Sequence, residues 1–177
     1  MKEISSDLEQ LKDFARSPKN IVLLLSSFVF TVVCLSLTAK FICAVEHRSG
    51  FAFDDPILSL FEPRDVTWLV FSVLYSSVVF CFFYLLRTPK LLTLGFLGYG
   101  LLISLRIAGM YLLPLDPPKT TIPLHDPLIE YFGTTVTLTK DLFFSGHSSL
   151  MFYLFFLVPS RYLKIPLLVG TLIVSGG

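Results

Sequence analysis

Nineteen residues from Ile21 to Ala39 pass without a charge, and so do the twenty-one from Val66 to Leu86. A hydrocarbon layer of about 30 Å is crossed by roughly 20 apolar residues in a helix. Lipid offers no water to satisfy backbone groups, so such runs must close their hydrogen bonds within themselves, which selects helices over open sheets. Two further runs follow, Leu91 to Leu113 with one arginine and Leu142 to Val158 with one histidine, and a fifth runs from Ile165 to Gly177. The expected fold is all-α, a polytopic membrane bundle of four full spans plus an incomplete fifth. Composition agrees: 54% of residues are hydrophobic, 15% are charged and the mean hydropathy is +0.74, too little polar surface for water.

The polar segments are short, so the chain reads as one membrane domain, residues 21–177, behind an N-terminal tail, residues 1–20. In that tail Leu8, Leu11 and Phe14 share one face at helical spacing, which fits either an interfacial helix or a solvated segment. About twenty polar residues precede the first apolar run, which argues for a retained span over a cleaved signal. A net charge of +1 supplies no footprint for nucleic acid. Cys34, Cys43 and Cys81 lack CxxC spacing and read as small packing residues. His125 and Asp126 are adjacent with no third ligand nearby, so they read as a turn, and neither a metal nor another cofactor is expected. The eighteen phenylalanines, scattered through the spans, read as packing and lipid-facing residues.

Orientation follows from the cations. With the N-terminus cytoplasmic, residues 1–20, 87–90 and 159–164 carry eight Lys/Arg in 30 positions, against five in 53 for residues 40–65 and 114–140. The positive-inside bias favours that arrangement and puts the loop from Pro114 to Lys140 on the exoplasmic or lumenal side.

At the end of that loop stands "DLFFSGHSS", Asp141 to Ser149. Ser145 is a favoured helix N-cap, and the amides of a first helical turn attract anions. Gly146 allows close approach of a ligand to backbone. His147 brings an imidazole, the side chain that exchanges protons near neutral pH. The plainer reading is an ordinary cap with an interfacial histidine. Asp141 adds a carboxylate within reach of the imidazole. Arg106 lies inside a span, where a cation is costly and marks a polar cavity by default, although seven residues from Leu113 it is also placed to snorkel. A guanidinium fork in the same region as the SGH turn suits a phosphate.

These residues resemble a family. "DLFFSGHSS" is similar to the acid-x3-Ser-Gly-His motif of sphingomyelin synthases and their bacterial relatives, within the type 2 phosphatidic acid phosphatase superfamily. "LRIAGMYLLPLDPP", with Arg106, Tyr111, Pro114 and Pro117, resembles that family's third span and its proline-rich exit. "DDPILSLFEPRDVTW" is compatible with its loose first motif. The resemblance covers most of Asp54 to Gly177 and implies a six-span bundle when complete. It implies an integral-membrane enzyme that moves a phosphate or phospho-alcohol head group from a phospholipid or sphingolipid to a lipid hydroxyl or water. His147 would protonate the leaving alcohol with Asp141 as its partner, Arg106 would contact phosphate beside Ser145 and Gly146, and Asp116 would be a further acid. A second histidine, oriented by an aspartate four residues later, would form a phosphohistidine.

Two features depart from the pattern. The His-x3-Asp pair expected past the fifth span is not found within residues 1–177: neither His47 nor His125 is followed four residues later by aspartate. The Lys-x6-Arg-Pro motif of the ordinary phosphatases is missing as well, which tilts the resemblance toward the sphingomyelin-synthase-like branch. The rival readings are a catalytically inactive lipid-binding or scaffolding membrane protein, and a small transporter using Arg106. The oligomeric state is not readable from sequence.

Overall fold

The structure is a computed structural model that describes residues 2–52, 66–116 and 144–176, with side chains from residue 9 onward. Asp141, His125 and Asp126, together with most of the two long loops, lie outside the described residues.

Six helices are present among the described residues: α1 (Lys2–Arg16), α2 (Pro18–Glu46), α3 (Thr67–Leu86), α4 (Pro89–Leu112), α5 (Gly146–Leu157) and α6 (Arg161–Ser175). Their starts are written in the sequence: Pro18 and Pro89 occupy first-turn positions, where the missing N–H costs nothing and the fixed φ suits a helix. The helices α2, α3 and α4 are each long and apolar enough to cross a membrane. Trp68 and Tyr111 stand exposed where α3 starts and α4 ends, as aromatic side chains do at a membrane–water boundary.

The fourth apolar run differs from expectation. Among the described residues of this run, the twelve from Gly146 to Leu157 form the helix α5, about 18 Å at 1.5 Å per residue, short of a full crossing. Ser145 caps its start, and Pro159 pushes Val158 out of the helical region to φ −81°, ψ 120°. The chain then turns and α6 returns along α5 for 15 residues. At the N-terminus, where the sequence fits either an interfacial helix or a solvated segment, the chain is helical: α1 packs on α2 and α4 and buries Phe14. One small departure from an all-helical fold is a parallel pairing of β1 (Phe51–Ala52) with β2 (Leu115–Asp116).

The helices pack in two units. In the first, α3, α5 and α6 bury Val70, Phe71, Leu74, Cys81, Met151, Leu154, Val158, Leu167 and Val174 against one another. In the second, α2 runs parallel to α4 and presents Ser27, Thr31, Cys34, Thr38, Ile42 and Val45, a stripe recurring every three or four residues. Small and hydroxylated residues suit helix contacts in lipid, where apolar bulk gives no advantage over the surrounding tails. The Thr31 hydroxyl shares its proton between the Phe96 carbonyl at 2.6 Å and the Ser27 carbonyl at 3.0 Å, and Cys34 Sγ meets Ser104 Oγ at 3.3 Å. A Cβ on Gly100 would lie 2.6 and 2.7 Å from ring carbons of Phe30. Gly100→Ala is therefore expected to lower stability by about 1–3 kcal/mol through overpacking; a melting temperature in detergent equal to that of the parent would contradict this contact.

Candidate functional site

The first turn of α5 is organised by its own serines. Ser145 is extended (φ −62°, ψ 115°), and its Oγ accepts a hydrogen bond from the Ser148 amide at 3.2 Å while the Ser148 hydroxyl lies 3.0 Å away. This is the N-cap anticipated from the sequence, and it fixes where the helix begins. The amides at that end carry the positive pole of the helix dipole.

Arg106 is seated against this turn. It lies on α4, antiparallel to α5, and a Cβ built on Gly146 would collide with Arg106 Nη1 and stand 2.8 Å from Cζ. Glycine at 146 is what lets the guanidinium reach the backbone of α5. Arg106 is half-buried, with its Cζ 6.0 Å from the centre of the Phe144 ring. The partly buried His147 imidazole meets Phe71 of α3 edge to face, with centroids 5.2 Å apart and planes at 87°. Three helices thus converge: α4 gives the cation, α5 the capped turn and imidazole, and α3 the aromatic wall. The antiparallel course of α4 and α5 sets this register, since Gly98 faces Tyr153 and Gly95 faces Leu157 further down. Tyr153 fastens it by donating its hydroxyl proton to the Leu94 carbonyl at 2.7 Å.

Of the residues singled out in the sequence, Arg106, Ser145, Gly146 and His147 are brought together at one end of the bundle. Asp141 lies outside the described residues. Asp116 is engaged in β2, where its Oδ2 accepts a hydrogen bond from the Gly50 amide at 3.1 Å. Next to it the Phe51 amide donates to the Pro114 carbonyl at 3.0 Å, and Arg48 donates to the Tyr111 carbonyl at 3.1 Å. A Cβ on Gly50 would stand 2.7 Å from the Leu115 carbonyl carbon, so the pairing needs glycine there. Asp116 therefore helps tie the segment after α2 to the exit of α4. Phe71 and Phe144 were not foreseen as site residues. Phe144 adjoins the SGH turn, but Phe71 has no local signal, because only tertiary packing brings α3 to His147.

Chemically, the arrangement offers a cation and a helix amino end to an anion, and an imidazole to a group that needs a proton. No family model matches the chain, and no curated protein or solved structure matches it either.

Proposed function

We propose that this chain is an integral-membrane lipid phosphotransferase or phosphatase of the sphingomyelin-synthase-like kind. It would act on a phospholipid or sphingolipid at the Arg106–SGH site and pass the phosphate or phospho-alcohol head group to a lipid hydroxyl or water. The observation that carries this reading is the seat of the Arg106 guanidinium on Gly146 at the amino end of α5, one residue from His147. On this reading the spans would deliver a lipid ester laterally, and with the exposed Tyr111 at the interface, Arg106 five residues earlier would stand about 7.5 Å deeper at 1.5 Å per residue. The phosphate would bind between guanidinium and helix end, and as an attacking group bonds to phosphorus and the bond to the lipid alcohol breaks, His147 would give a proton to the departing oxygen. The attacking group in the resembling family is a second histidine, and residues 1–177 contain no His-x3-Asp pair to supply it.

The test is reconstitution of the full chain in vesicles holding a head-group-labelled phospholipid with ceramide or diacylglycerol, followed by separation of the labelled products. Transfer or release of the label supports the reading. Saturable binding of the labelled lipid without turnover supports a lipid-binding protein instead, and neither binding nor turnover removes both.

A further inference from the structure

The end of the bundle remote from Arg106 is closed by two short turns, Arg87–Thr88 between α3 and α4 and Val158–Ser160 between α5 and α6. They lie side by side, since a Cβ on Gly95 would meet both Leu157 at 3.2 Å and Leu85 at 3.7 Å. Four cations gather there: Arg87, Lys90, Arg161 and Lys164. The first three are exposed, and the Lys164 ammonium lies 5.5 Å from the centre of the Phe155 ring. No carboxylate side chain occurs in the sequence between residues 66 and 115 or between 142 and 177, so the helices bearing these cations bring no acid of their own. Among the described side chains of neighbouring α1, Glu9 and Asp13 are matched by Lys12 and Arg16, and Asp13 pairs with Arg16 at 3.4 Å.

Helix stability does not account for the placement. Lys90 stands in the first turn of α4, and Arg161 and Lys164 lead α6, where the outward amides already make the potential positive and a cation is disfavoured. Neither first turn holds an acidic residue. An anion from outside the chain relieves both the cations and the helix ends. The level is that of lipid head groups: the apolar helices begin here, and Tyr162, 88% exposed beside Arg161, is an interfacial aromatic. We infer that this face binds the phosphate groups of anionic lipids in the leaflet opposite the Arg106 site. The inference stands apart from any turnover at that site.

The full chain in detergent, stripped of lipid, is titrated with phosphatidylglycerol or phosphatidylcholine, and bound lipid is counted by native mass spectrometry. Phosphatidylglycerol is expected to bind more tightly, with the margin shrinking at high salt and falling by roughly fivefold for each cation neutralised. The paired variants Arg87→Gln with Lys90→Gln and Arg161→Gln with Lys164→Gln should lose the preference at unchanged melting temperature. The charge-preserving pair Lys90→Arg with Lys164→Arg should retain it. Equal binding of the two lipids overturns the inference, as does a preference that survives both glutamine pairs. Salt-sensitive dimers that form without lipid and are lost in the glutamine pairs would assign the face to a second copy of the chain and equally overturn it.

Discussion

His147→Ala is expected to reduce head-group transfer or release by about 100- to 10,000-fold, the usual worth of a positioned general acid. The fold should survive. His147 is half-buried and its described ring contact is the edge-to-face meeting with Phe71, worth about 0.5–1.5 kcal/mol. The N-cap that starts α5 belongs to Ser145 and Ser148 and is untouched by the change. The variant should therefore reach the membrane, bind phospholipid at near parental affinity and fail at chemistry. Measuring binding and turnover on the same preparation separates these outcomes. Activity within a few-fold of the parent would remove His147 from the proton-transfer role and leave it as a packing residue against Phe71.

Much of this arrangement was legible before any coordinates. The Ser145 cap and three helices long and apolar enough to cross a membrane follow from local chemistry, a hydroxyl where amides lack partners and runs too apolar for water. A cation costly in lipid gave reason to expect Arg106 in the region of the SGH turn. The length of α5 was less legible, because hydropathy counts Leu142–Val158 as one run while backbone geometry ends the helix at Leu157, before Pro159. Phe71 and the pairing of Gly50 with Asp116 could not be read at all. They join positions far apart in sequence, and neither periodicity nor spacing reports which helix lies across the bundle. Gly146 shows the middle case. Its flexibility was noted for a ligand's sake, whereas the approach it permits is that of Arg106 itself.

That approach sets up the second large expectation, for Gly146→Ala and Arg106→Gln. Alanine is a better helix former than glycine, so at residue 146, inside the first turn of α5, the backbone accepts it readily. The new Cβ would nevertheless occupy the place of Arg106 Nη1. What yields is the far end of a long, flexible side chain, so the cost falls on the position of the guanidinium and leaves the fold intact. Gly146→Ala should thus melt at or above the parental temperature and yet bind phospholipid about 10- to 100-fold more weakly, the value of a lost charge-assisted hydrogen bond of roughly 1.5–3 kcal/mol. Arg106→Gln should show the same loss by removing the charge outright. Because both changes break one contact, the double variant should be no worse than either alone, a departure from additivity that a binding titration of all four proteins reads directly. Independent, additive losses would mean that the glycine and the arginine serve different ligand contacts. Unchanged affinity in both would return Arg106 to a snorkelling cation and leave the amino end of α5 as a cap with nothing to hold.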